Sequence, residues 1–346
     1  MKRDYSIDLY KVCGVFLVFV VHILNRGGVI RAVTEHSSQQ KGAWLLLAIG
    51  YCCVNCFGIA TGYLMAERKV KYARLLELWL QVFFYGEIIT LLFSLFAPQY
   101  LEKHAFRIAT FPVLSVEYWY FTAYVGLFLF IPFLNKMLAS MSKQLLALLS
   151  CTILFICIYS LSDTDVFGLG KGYSMLWLVI LYLVGAILKK IDLEKIPAWA
   201  CWLGIILNTA ITFMASFSKE YRDTFYSYTS PFILGNAICL FFLCKKIQWK
   251  KEHRWISWLS AASFGVYLLH VQPVFFDFLK DRFAFIAKLS TPWMWVAILV
   301  ISFVALWLGS FIESLRAKLF RFLKVSQWTQ KIAHNPLIRK VETYFE

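Results

Sequence analysis

Apolar runs long enough to cross a bilayer recur along the whole chain, and they constrain its fold more than any other feature. Ten are read, at about 7–24, 43–66, 74–97, 118–138, 144–162, 173–189, 198–217, 228–245, 256–276 and 293–313. About 20 apolar residues in helical geometry span a hydrocarbon core. In that solvent every backbone polar group must be satisfied internally, so only helices or closed barrels cross it. The runs are continuously apolar and do not alternate, so the expected fold is all-α: a polytopic integral membrane protein of about ten transmembrane helices. A hydrophobic content of 60% excludes an ordinary soluble domain. Aromatic residues such as Trp119 and Tyr120, at the head of the fourth run, read most simply as interfacial belt residues.

The formal charge of +15 invites a nucleic-acid reading, which its distribution rejects. With the N-terminus placed inside, 23 of the 35 Lys and Arg residues fall in inside segments and 11 in outside loops, Lys11 lying within the first run. This positive-inside bias places both termini in the cytoplasm of a multi-pass protein of the cell membrane. The basic excess then serves topology and anionic membrane lipid, with no nucleic-acid partner. The first run lacks a small-residue cleavage site, carries Asp8 and Lys11 and leads into further spans, so it is read as a membrane helix and not as a signal peptide. The chain divides into a transmembrane domain, 1–315, and a basic amphipathic cytoplasmic tail, 316–346, expected to lie on the inner leaflet. All nine cysteines sit in apolar segments. Cys53 and Cys56 form a C-x-x-C inside the second run, where small residues serve helix packing, and no metal site is expected.

Ionisable groups at membrane depth are costly and mark function by default. Lys11 and His22 lie eleven residues apart in the first run, three helical turns plus about 20°, so they share a face and stand about 16 Å apart along the axis. Asp8 falls on that face as well. In the ninth run Ser263, Tyr267 and His270 share a face at i, i+4 and i+7. Glu117 sits at the outer mouth of the fourth run and shares a face with Tyr120, Tyr124 and Asn135. His22, His270, Glu117 and the third-run carboxylate Glu87 thus fall in the outer half, Glu87 facing a neighbouring helix. Lys11, Arg68, Lys69, Lys71 and Arg74 gather at the inner mouth. A base in a dry site opposite an anion-binding mouth suits a donor that carries phosphates and enters from the cytoplasm.

These residues also carry a family resemblance. The chain resembles the membrane-bound acyltransferase family 3, the O-acyltransferases of bacterial surface glycans, over almost its full length. Lys11-x10-His22 stands where the family has Arg-x10-His, after Arg3 and Asp8. Thr61-Gly62-Tyr63-Leu64 matches a Ser-Gly-Tyr-like signature. The basic loop ERKVKYAR closes at Arg74, and Trp119, Tyr120 and Pro132 match the fourth span. Tyr267-Leu268-Leu269-His270 matches a late Tyr-Leu-x-His signature. Lys11 keeps the charge of the family's Arg but not its bidentate fork. The extracytoplasmic hydrolase-like domain of some relatives is not expected here.

The resemblance implies that acyl-CoA, acetyl-CoA foremost, serves as co-substrate and no cofactor is permanently bound. Lys11, Arg74, Lys71 and Asp8 would form its binding mouth. His22 would act as general base or take the acyl group itself, with His270, Glu117 and Tyr267 completing the catalytic set. The acceptor would be a hydroxyl of a cell-surface polysaccharide or its lipid-linked precursor. Two other classes share the polar path. A transporter or exporter would be expected to show matched broken helices in inverted halves, and Pro132, Pro231 and Pro273 form no such pairing. A membrane sensor would need an output domain, of which the sequence shows none.

Overall fold

A computed structural model describes residues 3–346 except 163, 193, 194, 248, 250–252, 334, 337, 339, 341 and 343–346. Lys2, Lys250, Lys251 and Arg339, counted among the basic residues above, lie outside the described residues. The described chain is helical, with no strand among the described residues. Its helices are α1 (Tyr5–Asn25), α2 (Val29–Ala32), α3 (Ser38–Gly50), α4 (Cys53–Met65), α5 (Tyr72–Phe96), α6 (Ala105–Thr110), α7 (Trp119–Ser140) and α8 (Lys143–Tyr159). They continue as α9 (Met175–Leu188), α10 (Ala198–Ala215), α11 (Lys219–Phe225), α12 (Pro231–Lys246), α13 (Arg254–Val271), α14 (Pro273–Phe278), α15 (Thr291–Phe322) and α16 (Val325–Ala333).

Among the described residues, six stretches are long and apolar enough to cross a membrane: Tyr5–Ala32, Ser38–Met65, Tyr72–Phe96, Trp119–Ser140, Ala198–Ala215 and Thr291–Phe322. Helices Lys143–Tyr159 and Met175–Leu188 are apolar but shorter. The ten apolar runs therefore resolve into six such stretches and a set of shorter helices. The second run is not one helix. It breaks at Tyr51 and Cys52 between α3 and α4, and the break turns Tyr51 toward the interior cavity. The last long helix continues without interruption to Phe322, past the end of its apolar run.

Helix α1 is the hub, packed against α3, α4, α12, α13 and α15. Asp4 caps it by accepting from the backbone N–H groups of Ser6 and Ile7, satisfying two of the four orphan donors of a helix N-terminus. The buried Tyr10 hydroxyl donates to the Ala237 carbonyl at 3.0 Å and ties α1 to α12. Helices α4 and α9 approach so closely that a Cβ at Gly62 would overlap the Tyr182 carbonyl. The glycine of the Thr-Gly-Tyr signature is thus a packing glycine of the small-residue kind common between membrane helices. Cys53 and Cys56 are buried free thiols on α4. Helix α16 returns to α5, where Thr329 donates to Glu77 at 3.1 Å. The backbone N–H of Tyr72 is taken by Glu342 at 2.9 Å.

Candidate active site

A cavity of about 1000 Å³ runs along α1 from Lys11 to Arg26. At one end its wall holds Lys11, Arg68, Arg74, Glu313 and Arg316; at the other it holds Arg26, Arg31, Glu117 and Asp277. His22 lies between them, one turn from Arg26.

His22 is held by one hydrogen-bonded chain. His270 Nδ1 lies 2.8 Å from the Val266 carbonyl oxygen. A carbonyl can only accept, so the proton is on Nδ1, and in the neutral ring Nε2 carries a lone pair. His22 Nδ1 lies 3.0 Å from that Nε2 and must therefore donate to it. The chain Val266 O, His270, His22 fixes the His22 tautomer and leaves its Nε2 as an acceptor. A base oriented by a second group that is itself oriented is the pattern of an activated general base. Phe19 flanks His270 with ring centroids 4.3 Å apart, and Phe276 flanks His22 at 5.0 Å. Both contacts exclude water.

Tyrosines line the route from this pair. Tyr267 lies 6.3 Å from the His270 ring and 5.8 Å from that of Tyr120. Tyr118, Tyr120, Tyr124 and Tyr267 all reach the cavity wall. The buried Tyr118 hydroxyl has no hydrogen-bond partner among the described residues, and its ring lies 6.3 Å from that of Tyr267. Glu117 meets Gln272 at 3.5 Å while its other carboxylate oxygen is buried without a partner among the described residues. Burial raises its carboxyl to about 7; the bond from Gln272 opposes that shift and the nearby Glu87 charge adds to it. Glu87 itself accepts from Thr110 at 2.7 Å, a helix-to-helix contact outside the wall.

The expected donor-binding residues separate into two groups. Lys11 and Arg74 line the cavity. Lys11 Nζ donates to the Ser260 carbonyl at 3.1 Å, which aims its charge at the Arg68 and Arg74 end. Asp8 does not join the wall. It is buried against α13, where it accepts from Arg3 at 2.5 Å, from Ser260 at 2.6 Å and from Ser257 at 3.4 Å, so it acts as a clamp between α1 and α13. Lys71 is exposed at the N-cap of α5, also outside the wall. Asn135 holds the basic loop in place by donating at 3.1 Å to the carbonyls of both Met65 and Arg68.

Two features of the wall were not read from the sequence. One is Glu313 with Arg316 on α15. Glu313 is buried, ion-paired with Arg316, and accepts from Gln81 at 3.1 Å and Tyr85 at 2.7 Å. The pair lies at the edge of its apolar run, and an i, i+3 acid and base inside a long helix is the signal that marks it. The other is an aromatic cluster of Tyr51, Trp119, Tyr173 and Tyr228, supplied by four separate segments. Trp119 thus faces the cavity and not a lipid belt. Nothing in the local sequence brings these four rings together.

An all-α bundle of membrane-length helices around an internal, tautomer-locked histidine is the frame of a membrane acyltransferase. A family model described as an acyltransferase domain, the acyltransferase-3 model, matches residues 4–311, and the chain belongs to that family. No curated protein matches the chain significantly. No solved structure does so either.

Proposed function

We propose that this protein moves an acyl group, acetyl in the simplest case, from cytoplasmic acyl-CoA to a hydroxyl of a cell-surface polysaccharide or its lipid-linked precursor, within the cell membrane. The observation that carries the reading is the locked His22 tautomer, inside a cavity lined by cations at its Lys11 end and by Glu117 and tyrosine hydroxyls nearer His22. At the cationic end, four positive residues face one carboxylate, so the wall there carries a net positive charge suited to the phosphates of a coenzyme A donor. The pantetheine arm would run along α1 and bring the thioester to His22.

In the reaction, the acceptor hydroxyl gives its proton to His22 Nε2 as its oxygen bonds to the thioester carbonyl carbon. The imidazolium is stabilised by its Nδ1–H bond to His270. The tetrahedral oxyanion takes a hydrogen bond from Tyr118 or Tyr267. Collapse breaks the carbon–sulfur bond, and the departing thiolate takes the proton back from His22, giving the O-acyl ester and the free thiol. A general base of this kind contributes roughly 10²–10⁴ in rate.

The test uses the purified protein in lipid vesicles with radiolabelled acetyl-CoA and extracted surface glycan. His22→Ala should fold and insert but transfer label at least about 100-fold more slowly. Unchanged labelling in that variant would remove His22 from the chemistry. Glycan crossing the vesicle wall without acylation would instead favour the transporter reading.

A further inference from the structure

We propose that the cluster of Tyr51, Trp119, Tyr173 and Tyr228, together with Glu117, is the acceptor subsite, and that it selects a neutral pyranose over an acidic sugar. This deepens the acyltransferase reading and rests on it.

The four rings form one continuous aromatic surface. Tyr51 and Tyr228 stack at 4.9 Å and 28°. Trp119 lies 4.6 Å from Tyr173 and is nearly parallel to Tyr228, at 6.4 Å and 20°. Tyr173 and Tyr228 are 5.2 Å apart. The faces of such rings carry the negative lobe of their quadrupole, which complements the C–H face of a pyranose, while their hydroxyls can bond its edge. The Tyr51 end of this surface lies close to α1. A Cβ at Gly50, beside Tyr51, would lie 3.1 Å from Val21 Cγ2, and Val21 precedes His22.

The cluster is built, not incidental. The Tyr228 N–H donates to the Lys171 carbonyl at 3.2 Å, and the Tyr228 carbonyl accepts from buried Asn55 at 2.9 Å. Asn55 is in turn fixed by the indole N–H of buried Trp177 at 3.0 Å. Gly172, at φ +96°, brings the Tyr173 loop so near that a Cβ would collide with Tyr228. That backbone is open only to glycine. A site whose rings are held this way loses little conformational freedom on binding.

Charge decides which sugar. Of the charged residues in the wall at this end, Arg26 is ion-paired with Asp277, and Arg31 with Asp281. That leaves Glu117, two residues before Trp119, one of whose carboxylate oxygens has no donor among the described residues. A neutral hydroxyl can donate a hydrogen bond to a carboxylate. A uronate or other carboxylated ring would set a second negative charge beside it in a desolvated place, with no cation left to answer it.

The experiment titrates the full-length protein in nanodiscs with methyl glycosides of glucose, galactose and N-acetylglucosamine. The matching methyl glucuronide and galacturonide serve as controls. Binding is read by tryptophan fluorescence and saturation-transfer NMR at alkaline pH, where Glu117 is ionised. At least one neutral glycoside should bind about tenfold more tightly than its uronide. Trp119→Ala, and Tyr173→Ala on its half-exposed ring, should each weaken that binding by roughly tenfold. Glu117→Gln should close the gap between neutral and acidic rings. Coenzyme A binding is measured on the same samples. The proposal is overturned if uronides bind as well as neutral rings, if both ring variants bind unchanged, or if no glycoside binds while coenzyme A still does. Sugar binding without coenzyme A binding would instead sink the donor reading and leave the subsite standing.

Discussion

Replacing His270 with Phe tests the histidine chain most directly. The phenyl ring fills the space between Phe19 and His22 but offers no lone pair. His22 Nδ1–H then loses the acceptor now 3.0 Å away. Both His22 tautomers become available, and the productive one must bury an unsatisfied N–H, at a cost of about 1–3 kcal/mol. That range corresponds to roughly a 5- to 150-fold fall in the turnover rate. KM for acyl-CoA should not move, because Lys11, Arg74 and Arg316 are untouched. His270→Gln carries a carboxamide oxygen near the old Nε2 position and should recover part of the loss. The assay is acetyl transfer in proteoliposomes with saturating acetyl-CoA, with thermal stability measured alongside. If His270→Phe keeps the full turnover rate at unchanged stability, or if the loss lies wholly in KM, the tautomer argument is wrong.

Four further outcomes are expected. His22→Ala should cut transfer at least about 100-fold while leaving coenzyme A binding intact, checked by equilibrium binding beside the rate. Arg74→Ala removes one cation from the mouth and should raise KM for acyl-CoA by about 5- to 30-fold at constant turnover, an effect that shrinks in high salt. Gly62→Ala places a methyl against the Tyr182 carbonyl and should destabilise the protein by about 1–3 kcal/mol, read as a lowered melting temperature. The folded Glu117 carboxyl titrates near 7, above its ordinary 4.5, so the folded state holds a proton that the unfolded chain releases. Stability should therefore fall as pH rises through that window and level off above it, and Glu117→Gln should flatten this slope in melting curves.

Local pattern in the chain carries the helical class, because a bilayer forbids unsatisfied backbone and apolar runs of this length have few other outcomes. It also carries the shared face of Lys11 and His22, since a rise of 1.5 Å and 100° per residue is a property of any α-helix. The meeting of His22 with His270, 248 positions apart, follows in outline from the signatures that hold the two residues. Its tautomer does not, because that depends on one carbonyl at hydrogen-bond distance. Asp8 shows the opposite case: helical periodicity puts it on the face of Lys11, yet the serines of α13 draw it away from the cavity. The break in the second run, the Glu313–Arg316 pair facing Gln81, and the four-ring surface were settled by packing alone. Each is made by residues distant in sequence, and periodicity along one helix holds no information about which neighbour will face it. The sequence by itself thus determined a helical membrane bundle with a histidine at membrane depth. The tertiary structure decided what that histidine leans on, where the cavity's charge lies, and which aromatic rings line its wall.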